Sequence, residues 1–303
     1  MRGWRIQAGP RSSRRWIAAV CLALASLALA ACAIDFVPAK EFISGPPIRF
    51  ALSFDDGPSG AAEGNPTASI LDTLAANPVQ NGIKGMFFVQ TRSRYGAATV
   101  RGQALLMREH AEGHLVELHD GSDAGHHSHR SLSDAELEQS LANGMADLAT
   151  LPGIEVKLIR PPYWAFDKRT LAAYDRHGLT MLLTDVTAND GKERGYRASP
   201  RRYIHMASEM AELRQRLIEK RLPELDGVVP VIAAFHDIND YTAAHMAEYL
   251  DMLVRSARAA GIATADPPFY TNAAALKRVG MMRGVHESSD QTMVPWWWRW
   301  MLW

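Results

Sequence analysis

Short apolar stretches alternate along the chain with longer segments in which apolar residues recur every three or four positions. The short stretches read as strands over 48–54, 84–89, 115–119, 156–160, 180–184 and 228–235. The periodic segments read as helices over 67–76, 102–112, 133–149, 167–177, 200–221 and 241–260. Ser133-Asp134-Ala135-Glu136 has the form of a helix start, with Ser133 as cap and Glu136 three residues on. Regular β-then-α alternation predicts an α/β fold with parallel strands, and polar residues just after strand ends predict a site at the carboxyl edge. The pattern alone fits a (β/α) barrel or a doubly wound open sheet.

Both ends of the chain break the alternation. Arg2, Arg5, Arg11, Arg14 and Arg15 precede an apolar stretch from Trp16 to Ala31, too short to span a bilayer comfortably and closed by small residues, as in a secretory signal. Leu29-Ala30-Ala31-Cys32 resembles a bacterial lipobox, which predicts a signal over 1–31 and a lipidated Cys32 that binds the membrane. Ser13-Arg14-Arg15-Trp16-Ile17 also resembles a twin-arginine signal. Residues 32–47 contain Pro38, Gly45, Pro46 and Pro47 without sustained periodicity and read as the lipidated terminus and a tether. The folded domain is expected over 48–275, and 276–303 reads as a Trp-rich tail. Trp296, Trp297, Trp298, Trp300 and Trp303 would suit a membrane interface, a sugar-stacking arm, or a tail folded over an apolar groove.

Composition narrows the partners. The chain has 303 residues, 47% of them hydrophobic and 22% charged, which is ordinary for a globular enzyme with a sizeable core. Lys plus Arg equals Asp plus Glu at 33 each, so nothing points to nucleic acid or a polyanion, and a neutral polymer suits the chain better. Cys21 lies in the signal and Cys32 would carry lipid, leaving the mature domain without a disulfide.

The first apolar run, Ile48 to Leu52, leads into Ser53-Phe54-Asp55-Asp56-Gly57-Pro58. Alone, Asp-Asp-Gly-Pro is good turn chemistry. Two adjacent carboxylates closing a buried strand are costly, however, unless a metal or an Arg lies against them. Candidate partners follow downstream: His119 after Leu115-Val116-Glu117-Leu118, the cluster His126-His127-Ser128-His129, Arg160-Pro161-Pro162-Tyr163, Asp185 with Asp190, and His236-Asp237. Two imidazoles and a carboxylate leave coordination positions open for water and substrate, a catalytic arrangement. Zinc is the default divalent cation for such a set; cobalt, nickel or manganese would also accept it.

With these five groups in this order, the chain resembles the polysaccharide deacetylases of carbohydrate esterase family 4 over about residues 48–265. The resemblance implies a distorted, incomplete (β/α) barrel of about seven strands. It implies hydrolysis of N-acetyl groups on N-acetylglucosamine units of an envelope or extracellular polysaccharide. Asp56 would ligate the metal and Asp55 would take a proton from metal-bound water. Arg160 would pair with Asp55, the Tyr163 main-chain N–H would hold the oxyanion, and His236 would be the acid, charged and held by Asp190. Asp237 reads as a helix cap or loop group.

The family's second motif spaces its two His ligands four apart, but Gly125 stands four before His129. Either an insertion separates the ligands, making them His119 and His129, or the pair is His126 with His129. The flanking residues favour the first, with Asp56, His119 and His129 as the metal set and His126 as the alternative ligand. The third motif continues with Trp164, which could line a groove or pack in the core, and Gly191 stands where the fourth motif usually carries an aromatic residue. These departures keep two other functions in view: a glycan-binding lipoprotein with a degenerate site, and an esterase acting on O-acetyl groups.

Ala33 after Cys32 lacks the Asp that in many Gram-negative bacteria retains lipoproteins at the inner membrane, so the expected address is the periplasmic face of the outer membrane. Fractionation of cells expressing the protein should recover it with outer-membrane material; recovery with the inner membrane contradicts that address.

Overall fold

The computed structural model describes residues 41–190 and 200–286. The signal-like segment, Cys32, most of the tether, Gly191 and the Trp cluster of the tail lie outside the described residues. Among the described residues no helix is long and apolar enough to cross a membrane.

Strands and helices alternate: β1 (Ile48–Asp55), α1 (Pro66–Ala75), β2 (Gly85–Gln90), α2 (Val100–Ala111), β3 (Leu115–Asp120), α3 (Asp134–Ala149), β4 (Leu158–Ile159), α4 (Lys168–Arg176), β5 (Thr180–Met181), β6 (Val186–Thr187), α5 (Pro200–Ile218), β7 (Val229–His236), α6 (Asp240–Ala259), β8 (Thr264–Phe269) and α7 (Ala273–Met282). The strands run parallel in the order β5-β4-β3-β2-β1-β7-β6, and β8 joins the first half of β1. Among the described residues no pairing joins β5 to β6, so the sheet curls without closing.

The curl follows from one contact. In a flat sheet β4 would lie three strand spacings, about 14 Å, from β1. Yet Arg160, just after β4, puts Nη1 2.7 Å from Asp55 Oδ1 on β1. Only a sheet rolled into a partial barrel lets them meet across the interior. Inside lie Ala51, Met86, Phe88, Leu158, Leu182 and Ile232, joined by Leu276 and Val279 of α7. A second cluster, including Leu106, Leu141, Leu148, Leu171 and Tyr174, packs α2, α3 and α4 onto the outer face of the sheet.

Local chemistry explains the helix starts. Asn65, Thr99, Asn239 and Asn272 each accept a backbone N–H in the first turn of the helix that follows. Ser133 and Glu136 form the capping box that their spacing predicts. The sheet has a polar support as well. Only one residue pair joins β3 to β4, and the buried Glu117 carboxylate accepts the Lys157 and Leu158 N–H groups at 2.8 and 2.7 Å. Burial nonetheless pushes its pKa up to about 8.

Some elements differ from the sequence-based expectation. The stretch 180–184 is shorter as a strand, and Val186–Thr187 forms a separate one against β7. β8 contains Pro267 and Pro268, residues that argue against a strand; it survives because it pairs with β1 only at Thr264 and Phe269. The packed domain also continues past residue 275. α7 crosses that position, Leu276 and Val279 are fully buried, and the Val285 N–H donates to Met181 O at 2.8 Å. At the other end, Ile43 already bonds Gly261 O and Ile48 bonds Ala263 O, so the chain enters at the amino end of β1.

Asp185 is structural. Its fully buried carboxylate meets Arg216 and Arg283, both at 2.6 Å, and accepts the Ile232 N–H at 2.9 Å, tying α5 and the end of α7 to the sheet. Although burial opposes ionisation, the two guanidinium groups hold its pKa below the usual carboxylate range. Asp185→Ala should lower stability by about 2–3 kcal/mol in urea unfolding, below the ~3–5 of a fully buried pair because both Arg side chains keep some solvent contact.

Candidate metal and catalytic centre

β1 delivers two carboxylates to the carboxyl end of the barrel, and strand geometry sends them different ways. Asp55 points inward, two residues beyond Ser53 on the same face. It is 2% exposed and accepts Arg160 Nη1 at 2.7 Å, while Ser53 Oγ accepts the same nitrogen at 2.8 Å. Arg160 is itself wholly buried: its Nε donates to Leu182 O at 3.2 Å and its plane lies 4.1 Å from the Phe88 ring centre. Asp56 leaves the strand with φ 76°, a left-handed conformation unusual for a residue with a side chain, and this turns its carboxylate toward β3.

Asp56 Oδ1 lies 3.2 Å from His119 Nε2 and 3.4 Å from His126 Nε2, and the two imidazole nitrogens are 3.1 Å apart. A tetrahedral zinc with bonds of about 2.0–2.1 Å separates its donor atoms by about 3.3 Å. The three atoms therefore have the spacing of one face of such a site. His119 Nδ1 lies 2.7 Å from Arg160 O, which can only accept, so Nδ1 carries a proton and Nε2, facing Asp56, is the atom that a cation would take. Although burial opposes ionisation, His119, His126 and His236 hold the Asp56 pKa well below the usual carboxylate range. The residues fit a divalent cation.

This grouping corrects the expectation for His129. β3 ends at Asp120, and the loop 121–128 folds back over the strand end so that His126 meets His119. His129 opens a 3-10 turn (His129–Ser131) and is buried against α4, with Nδ1 2.7 Å from Tyr174 Oη and Nε2 3.6 Å from Asp120 Oδ1. His126 is held by Tyr163, whose ring packs 4.6 Å away at 30° and whose hydroxyl donates to His126 O at 3.3 Å. His127 stays at the surface against Ala124 O.

Tyr163 follows Pro161 and Pro162, at φ 60° within a short turn. The Trp164 and Ala165 N–H groups bond Pro161 O and Pro162 O; among the described residues the Tyr163 N–H has no acceptor. Trp164 is half-buried, between the two roles expected of it. On the opposite side, β7 ends at His236. Its Nδ1 lies 2.7 Å from Asp190 Oδ1 and its backbone N–H donates to Oδ2 at 2.8 Å, while Nε2 points to within 4.0 Å of Asp56 Oδ2. Thr242 Oγ1 and Asn239 Nδ2 fix Asp190 in turn, at 2.6 and 2.8 Å. Burial works against a charged imidazole here, but Asp190, with help from Asp56 and Asp55, raises the His236 pKa to about 10.

Asp237 is neither cap nor loop surface; the cap of α6 is Asn239. Its buried carboxylate accepts Thr67 Oγ1 at 2.7 Å and lies against Gly57, where a Cβ would come within 1.9 Å of Oδ2. Burial pushes its pKa up to about 7. Ser53, Thr242, Asn239 and Gln90, whose Nε2 donates to Asp56 Oδ1 at 2.8 Å, are contributors that sequence reasoning passed over. Ser53 had a signal, two residues before Asp55 on a strand, and so did Gln90, the polar residue closing an apolar run.

Residues 44–182 match the family model described as polysaccharide deacetylase. No curated protein matches the chain. Solved structures with a similar fold include three deacetylases or esterases. The chitin deacetylase of the fungal pathogen Colletotrichum lindemuthianum is 20% identical with TM-score 0.53, over 77% of this chain and 90% of that one. A family 4 acetyl xylan esterase from Clostridium thermocellum, solved with a cobalt ion, is 19% identical with TM-score 0.51, over 80% and 99%. A peptidoglycan deacetylase from Bacillus subtilis is 22% identical with TM-score 0.50, over 80% and 95%.

Two substitutions separate the candidate ligands. His126→Ala should abolish stoichiometric zinc binding measured by competition with a chromophoric chelator. His129→Ala should leave the stoichiometry intact and instead lower unfolding stability by about 2–3 kcal/mol, through lost packing and the lost 2.7 Å hydrogen bond to Tyr174 Oη.

Proposed function

We propose, from the match of residues 44–182 to the polysaccharide deacetylase family model, that the chain is a metal-dependent hydrolase removing N-acetyl groups from N-acetylglucosamine units of an envelope or extracellular polysaccharide. The observation that carries this reading is convergence. Three donors at metal spacing, a carboxylate locked by a buried Arg, and an imidazole backed by Asp190 all face one point at the strand ends.

A divalent cation held by Asp56, His119 and His126 would polarise the acetyl carbonyl and acidify the attacking water. Asp55, fixed in place by Arg160, accepts a proton as that water adds to the carbonyl carbon. The Tyr163 N–H, without an acceptor among the described residues, is a donor for the oxygen on which negative charge develops, and Pro161 and Pro162 keep the turn stiff. His236, protonated at neutral pH by its Asp190 partner, gives its Nε2 proton to the departing amine as the C–N bond breaks, leaving acetate and a free amine. Arg160 works through Asp55 and Asp190 through His236. The basic, apolar and Cys-terminated leader supports an envelope location on a lipid anchor.

Acetate release from N-acetylglucosamine oligomers tests the proposal. Activity should vanish on chelation, return with zinc, and fall by about 10²–10⁴-fold in Asp55→Asn. Bound metal without release from these oligomers would redirect the assignment to another acetylated polymer, including O-acetyl esters; absence of both metal and release would favour glycan binding.

A further inference from the structure

The metal-facing carboxylate of Asp56 depends on a residue outside every motif considered so far. Gln90 closes β2, two positions beyond Phe88, whose ring faces Arg160 inside the barrel. Strand alternation therefore sends the Gln90 side chain inward as well. The β2 to β3 register shifts between Val89 and Gln90, placing Gln90 opposite Asp120 rather than His119. From there it grips the end of β1 twice. Its backbone N–H donates to Gly57 O at 3.3 Å, and its Nε2 donates to Asp56 Oδ1 at 2.8 Å.

The identity of that oxygen matters. Oδ1 is the atom 3.2 and 3.4 Å from the two imidazole nitrogens, whereas Oδ2 faces His236. An ionised carboxylate only accepts hydrogen bonds, so chemistry requires the Gln90 amide nitrogen, not its oxygen, to face Asp56. Asp56 also sits at φ 76°, a conformation that persists only where surrounding contacts hold it, and both Gln90 contacts are among those contacts.

Building on the metal reading above, we infer that Gln90 is a positioning residue for the metal: its carboxamide holds the Asp56 oxygen at the spacing the cation needs and tempers that oxygen's charge. Partners of this kind behind ligating groups typically change metal affinity by about 10–100-fold when removed. Gln90→Met keeps the length and bulk of the side chain and deletes the donor.

The test uses the full chain, freed of metal, titrated with Zn2+ against a chromophoric chelator and with Co2+ by visible absorption. For Gln90→Met the expected result is a Zn2+ dissociation constant raised about 10–100-fold, shifted Co2+ absorption bands, and a metal-free melting temperature close to the parent's. A Zn2+ affinity within about twofold of the parent and an unchanged Co2+ spectrum would overturn the role of Gln90 while leaving the metal centre standing. No binding of either ion by the parent chain would overturn both. Should the variant not fold, the parent suffices: the Gln90 side-chain NH2 resonances should move on Zn2+ addition, and resonances that stay put overturn the proposal.

Discussion

A guanidinium buried at 0% exposure inside a barrel is the constraint from which the centre is built. Taking Arg160 and Asp55 out of water has a desolvation cost that their attraction does not clearly exceed, and Arg160 Nη2 has no partner among the described residues. The pair is thus a poor device for stability and a good one for placement. Arg160 fixes Asp55 through its side chain and, through its own carbonyl, sets the tautomer of His119. One residue therefore orients a carboxylate on β1 and an imidazole on β3, and the curl of the sheet is what allows it.

The same logic extends outward in layers. Ser53 and Phe88 steady Arg160, Thr242 and Asn239 steady Asp190, and Tyr163 steadies His126. Strained backbone accompanies this order: Asp56, Tyr163 and Trp164 all adopt positive φ next to the centre. Such conformations persist only where surrounding contacts over-determine them. Asp237, pressed against Gly57 and bonded to Thr67, supplies part of that confinement from below.

Much of this was legible in the sequence because it is carried by period and position. The six expected helices each have a counterpart, and Asp55, Asp56, His119, Arg160 and His236 stand at or just past strand ends where the apolar runs stop. What was illegible depends on paths through space. The route of the loop 121–128 decides between His126 and His129, and residue spacing carries no record of how that loop folds back. β8 hides behind two prolines whose missing donors matter only in an inner strand. α7 reads as the start of a tail because its burial comes from the interior cluster it packs against, and Asp237 reads as a cap because it lies close before a helix, although Asn239, two residues on, does that work.

The segment that enters the domain meets it at Gly261 and Ala263, beside the amino end of β1, while the centre lies at the carboxyl end of the same strand. Eight residues of extended chain, about 26 Å, separate the two. Any restraint applied through residues before 41 therefore acts on the blunt end of the barrel. The edge that carries Asp55, Asp56 and His236 is left out of that entry, so what pulls on one end of β1 need not touch the chemistry at the other.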